Sequence, residues 1–118
     1  MLPPLLAEHF ARPRNAHDLP SATHEGRAGN PACGDLLVLR LLLVEDRVER
    51  AAFRAQGCSA LIACASLVTE ALRGRTFVEA LELDPERLVR EAGGVPPGKE
   101  HAPAVLKRAI EHALRGGE

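Results

Sequence analysis

Between Asp35 and Glu45 runs Leu36-Leu-Val-Leu-Arg-Leu-Leu-Leu-Val44, in which only Arg40 is polar. No other stretch limits the fold as much. The run is short for a helix, follows a Gly-Asp turn and stops at Glu45-Asp46-Arg47, which predicts a β-strand. Apolar residues on both of its faces predict helices over one side and partial exposure on the other. Residues 48–56 are expected to return beside it, so that 36–56 forms a hairpin. A short strand before Cys33 would bring the sheet to about three strands.

The remainder reads as loops and helices. Residues 3–11 suit a short helix started by Pro3 and Pro4, with Leu2, Leu5, Leu6 and Phe10 on one face and Pro13 as its stop. Residues 12–27 are polar, contain Pro20 and Gly26, and are expected to wrap the surface as a loop. From Ser59 to Arg73 a stripe of Leu61, Cys64, Ala65, Val68, Ala71 and Leu72 marks a helix that Gly74 ends. Thr76 to Ala80 reads as a short helix with Thr76 and Glu79 as a capping box. Asp84-Pro85 starts another, to about residue 92, and Gly93-Gly94 stops it. Pro103 opens the last, to about Arg115, with Val105, Leu106, Ala109, Ile110, Ala113 and Leu114 on its buried side. Strands and helices do not alternate as in βαβ units. The expected fold class is therefore α+β: a small antiparallel sheet of about three strands with helices packed on one face, in one domain spanning 1–118.

Composition removes several function classes. The formal net charge is -1, with no Trp or Tyr and three Phe, so neither a basic footprint nor stacking platforms point to nucleic acid. No apolar run approaches the roughly 20 residues that span a bilayer, and no secretory pattern is visible in Met1–Phe10. Three cysteines are too few and too odd in number for a disulfide scaffold. A reducing cytoplasm is expected, where thiols are available for metal or sulfur chemistry.

Four residues then stand out. In Asn30-Pro31-Ala32-Cys33-Gly34-Asp35 a thiol and a carboxylate sit two residues apart in a turn, offering a soft and a hard ligand. Cys58 follows Gln56-Gly57 at the expected first turn of a helix, where orphan N–H groups and the helix dipole favour a thiolate. His101 lies in the stiff, Pro/Gly-rich stretch Val95–His101. Each has a plain reading as well: a packed cysteine, an aspartate bonded to its own turn, a helix-capping histidine. Cys64 lies about 240° around the helix from Cys58 and shares the stripe of Leu61 and Val68, so it reads as core. His9, His17, His24 and His112 show no ligand spacing and read as surface residues.

Taken in order, these motifs resemble the U-type iron–sulfur cluster assembly scaffolds, the IscU/NifU-like proteins, from about Glu8 to Leu114. The resemblance runs through His9-Phe10-Ala11-Arg12-Pro13-Arg14-Asn15, Pro31-Ala32-Cys33-Gly34-Asp35, Gln56-Gly57-Cys58-Ser59-Ala60, Ser66-Leu67-Val68-Thr69-Glu70 and Pro96-Pro97-Gly98-Lys99-Glu100-His101. It implies that Cys33, Asp35, Cys58 and His101 hold zinc, iron or a transient [2Fe–2S] cluster. It implies a cysteine desulfurase and apo Fe–S acceptor proteins as partners. Pro96, Pro97 and Lys99 resemble the segment bound by an Hsp70-type chaperone, with Gly98 where the family carries a branched residue. The family's third cysteine directly follows its histidine; here that position is Ala102.

The expected function is a scaffold that assembles a cluster and passes it to apo-proteins, without an enzymatic active site of its own. Two alternatives stand beside it. One is a diverged paralogue that holds zinc structurally or serves as a desulfurase adaptor. The other is a small hydrolase with Cys58 as nucleophile and His101 as base.

Overall fold

The computed structural model describes residues 1–116, the side chain of Cys33 excepted. In chain order it contains α1 (Pro4–Ala11), β1 (His24–Asn30), a 3-10 turn (Pro31–Cys33), β2 (Asp35–Val44), β3 (Arg47–Gln56), α2 (Ser59–Leu72), α3 (Phe77–Glu82), α4 (Pro85–Glu91) and α5 (His101–Arg115). The strands form one antiparallel sheet in the order β1-β2-β3. This is the expected α+β architecture.

The hairpin follows from the apolar run. Leu37, Leu39 and Leu41 alternate onto the core face and are fully buried, whereas Leu36 at the other face is 46% exposed. Glu45 and Asp46 close the hairpin with φ of 50° and 70°, a left-handed pair that matches the twist of the flanking strands. On the outer face Ala52, paired with Arg40, is nevertheless sealed. The loop of residues 12–23 crosses there, pinned by an Asp18–Arg40 ion pair and carrying the buried Leu19.

The core face is covered by α2 and α5. Leu61, Val68 and Leu72 from α2, with Val105, Leu106 and Ile110 from α5, are all fully buried. Each such side chain contributes roughly 1.5–3 kcal/mol by leaving water. The burial on α2 is wider than the expected stripe: Ala60, Ala63, Ser66 and Thr69 are inside too, because α1 covers a second side of the helix. The capping box of α3 is present, with Glu79 N–H donating to Thr76 Oγ1 at 3.2 Å and Thr76 N–H to Glu79 Oε1 at 3.0 Å. Asp84 caps α4 ahead of Pro85, as its sequence implies.

Four expectations need correction. Residues 24–27 are strand and not loop, because β1 belongs to the sheet from His24 onward. Its sequence is polar and glycine-rich since α5 lies against it: a Cβ on Gly26 would come within 2.1 Å of Ala109 O and 2.5 Å of Ala113 N. On α1, Leu6 and His9 face inward while Leu5 and Phe10 are 49% and 44% exposed. His9 is therefore no surface residue. Finally, α5 starts at His101, two residues before Pro103. Proline is tolerated in a first turn because its missing N–H would have no intrahelical partner there.

Candidate metal centre

Strand register builds half of the site. Asp35, the first residue of β2, pairs with Asn30 on β1, and its neighbour Leu36 pairs with Gln56 at the end of β3. The chain leaves β3 at Gln56 and reaches Cys58, the N-cap of α2, immediately beyond. The hairpin thus delivers Cys58 beside Asp35. His101 comes from the opposite direction, in the first turn of α5, the helix that lies along β1.

The Asp35 side chain is completely buried. Its Oδ2 lies 2.6 Å from His101 Nε2 and 3.9 Å from Cys58 Sγ, while its Oδ1 accepts the Cys58 N–H at 3.3 Å. One ligand atom from each of Asp35, Cys58 and His101 falls within 4.8 Å of the others. Four-coordinate metals with N, O and S donors at about 2.0–2.3 Å keep those donors roughly 3.4–3.8 Å apart. The Cys58–Asp35 separation of 3.9 Å stands just above that range. The shorter Asp35–His101 contact is a hydrogen bond, and admitting an ion between its atoms needs an opening of about 1 Å. The donor set, a thiol, a carboxylate and an imidazole, suits zinc or iron better than hard ions that take oxygen alone.

The fourth residue singled out, Cys33, has its side chain outside the described residues; its backbone ends the 3-10 turn before Gly34, which takes φ 72°. Ala102 is fully buried, so the position where a third cysteine is expected carries a methyl group in the core. Cys64 does not compensate. It is sealed inside the protein, and burial, helped by the nearby Cys58, pushes its thiol up to about 12. Such a thiol stays protonated and out of reach. Pro96, Pro97 and Lys99 lie in the connection that leads into His101, folded by a Lys99 N–H bond to Pro96 O at 3.1 Å. Pro97 and Gly98 are exposed; Val95 packs on the core instead of standing free.

The His9–Asn15 motif makes a polar clasp. His9 Nδ1 is 2.7 Å from Ser66 Oγ, which also accepts the Arg14 N–H at 2.8 Å. Arg14 reaches Glu8 at 2.6 Å and Glu70 at 3.9 Å. Asn15 donates to Thr69 Oγ1 at 3.1 Å and, through its carbonyl, accepts the Phe53 N–H of β3 at 2.8 Å. Burial and the Arg14 charge hold His9 below the usual histidine range. Spacing alone hid this role; the pairing of Leu6 with His9 at i, i+3 was the available signal.

The family model for the NifU-like N terminal domain matches residues 5–116. The chain belongs to that family. This NifU-like domain is 35% identical over 107 residues to the iron–sulfur cluster assembly scaffold protein IscU 1 of Archaeoglobus fulgidus, covering 91% of this chain and 70% of that protein. It is 38% identical over 110 residues to the iron–sulfur cluster assembly scaffold protein IscU of Aquifex aeolicus, covering 92% and 70%. Among solved structures it is similar to a protein described as an iron–sulfur cluster assembly scaffold for the SUF system of Fervidobacterium islandicum. There the TM-score is 0.76 at 16% identity, over 93% of each chain, and the likeness speaks to the fold. No helix among the described residues is long and apolar enough to cross a membrane.

Proposed function

We propose that this NifU-like domain is an iron–sulfur cluster assembly scaffold: it receives iron and sulfide at Cys33, Asp35, Cys58 and His101 and passes a transient [2Fe–2S] unit to apo-proteins. The observation that carries this reading is the convergence of Asp35, Cys58 and His101 within 4.8 Å, in a chain homologous to IscU scaffolds. Iron, sulfide and the cluster are cargo, so the site must take them up and give them back. Thiolates supply affinity for iron. Asp35 supplies a hard, weaker ligand whose alternative partner, His101, lies within hydrogen-bond distance. When the cargo leaves, that hydrogen bond re-forms and offsets part of the cost of losing the metal.

The same donor set suits a tetrahedral zinc ion, which would occupy the site in place of iron. A cysteine desulfurase is the proposed sulfur source, apo Fe–S proteins the acceptors, and the Pro96, Pro97 and Lys99 segment the contact for an Hsp70-type chaperone. The chain acts as a single domain in the cytoplasm and catalyses no reaction of its own.

Anaerobic reconstitution with ferric iron and sulfide, which together carry the charge of an oxidised [2Fe–2S] unit, tests the proposal. Sulfur-to-iron charge-transfer bands are expected in the wild type and not in Cys58→Ala, with transfer of the chromophore to an apo-ferredoxin. A wild type that develops no bands yet binds zinc stoichiometrically would replace cluster assembly with zinc holding.

A further inference from the structure

Asp35 has two oxygens, and the structure treats them differently. Oδ2 points to where His101 Nε2 and Cys58 Sγ meet, at 2.6 and 3.9 Å. Oδ1 accepts the backbone N–H of Cys58 at 3.3 Å. The space that lets Oδ1 reach that N–H is the missing side chain of Gly57. A Cβ there would lie 2.3 Å from Oδ1 and 2.9 Å from Asp35 Cγ, distances that real Cβ atoms essentially never show. Because the Asp35 side chain is completely buried, its carboxylate has no solvent-filled space to retreat into.

The geometry points to Gly57 as a positioning residue that makes Asp35 a one-oxygen ligand: it opens the niche for Oδ1, and so aims Oδ2 alone at the metal. This rests on the metal-handling reading above and adds to it a choice of cargo. A carboxylate whose second oxygen is committed to a backbone N–H cannot clasp an ion with both oxygens. The site then favours ions that accept single O, N and S donors in four-coordinate geometry, such as ferrous iron, zinc or cobalt(II). It disfavours ions such as calcium, which take six to eight oxygens. One-oxygen attachment also keeps the carboxylate easy to displace, as a site that releases its cargo needs.

Gly57 then acts through Asp35, beside a backbone role set by its φ of 156°, and a double-mutant cycle separates the two. The variants are Gly57→Ala, Asp35→Ala and the two combined. In the Asp35→Ala background the new Cβ meets no carboxylate; what remains, the same in both backgrounds, is a 3.2 Å approach to the Cα of residue 35 and the strain of an alanine at φ 156°. Cobalt(II) is the probe, titrated anaerobically and followed by its d–d and thiolate charge-transfer bands; thermal melting of the metal-free proteins is the second readout.

Gly57→Ala should weaken cobalt(II) binding at least tenfold and lower the melting midpoint. The double variant should bind cobalt(II) within about twofold of Asp35→Ala, and its melting midpoint should fall less below that of Asp35→Ala than Gly57→Ala falls below the wild type, the remainder being the strain at φ 156°. If Gly57→Ala alone fails to fold, recovery of the fold in the double variant supports the assignment, and failure of both overturns it. Equal losses from Gly57→Ala in both backgrounds would also overturn it, since the glycine would then serve the backbone. A wild type that bound no cobalt(II) would count against the metal-handling function, while the melting arm would still decide the role of Gly57.

Discussion

Cys64 decides whether this chain has two usable thiols or three, and its reactivity can be worked out in advance. The side chain is fully buried in α2, and its thiol is raised from 9.0 to about 12, chiefly by burial. At pH 8 the thiolate fraction drops from about 0.09 to about 0.0001, roughly a thousandfold, before any restriction of access is counted. The perturbation is alkylation of the native, metal-free protein with iodoacetamide at pH 8, quenched over time and mapped by peptide mass spectrometry. Cys58, partly exposed at the start of α2, is the internal reference. Cys64 should label at least a thousandfold more slowly than Cys58 and should match it in 8 M urea, where the shift is gone. Comparable native rates would refute the reasoning. Cys64 would then be a candidate for the thiol missing at Ala102.

Further outcomes follow from the clasp and the packing. Ser66→Ala removes the acceptor of the Arg14 N–H and leaves His9 Nδ1 with only its 3.3 Å contact to Arg14 Nη1; an inward-facing N–H left unsatisfied costs about 1–3 kcal/mol, read as a melting midpoint lowered by roughly 4 °C or more. Acidification should loosen the same clasp. His9 is held below its ordinary value by burial and by Arg14, against the opposing pull of Glu70 and Glu8, so the unfolded chain binds the extra proton first. The stability conferred by neutral His9 is whole above about pH 6.5 and is lost as pH falls through its lower folded value. Melting curves between pH 7 and 5 should fall more steeply for the wild type than for His9→Gln, and parallel curves would contradict the assignment. Gly26→Ala places a methyl group into the backbone of α5. It should destabilise by more than the roughly 1–3 kcal/mol typical of overpacked side chains, since backbone cannot step aside, and urea melts measure the loss.

Much of this fold is legible where one residue type has one physical job. The apolar run of β2, the acidic turn at Glu45–Asp46, the Thr76–Glu79 box and Pro85 behind Asp84 all act over a few residues, and their elements lie where the sequence puts them. The stripe on α5 is equally readable. Strand β1 is not, because Gly26 is chosen for contact with a helix more than eighty residues away and Arg27 bonds to His112 of that helix. His9 was hidden for a similar reason: a buried histidine is tolerated only because Ser66 and Arg14 meet it in space. Of the site, residue types and turns suggested Asp35, Cys58 and His101 one by one. The two oxygens of Asp35, with the niche that Gly57 leaves for one of them, exist only in the folded chain.

The most direct test of the central claim is metal and acid-labile sulfide analysis of the full chain purified without air. Iron and sulfide in equal amounts, both lost in Cys58→Ala, is the result that cluster assembly at this centre predicts. One zinc ion per chain with no sulfide, retained after supply of iron, a persulfide donor and reductant, would contradict it.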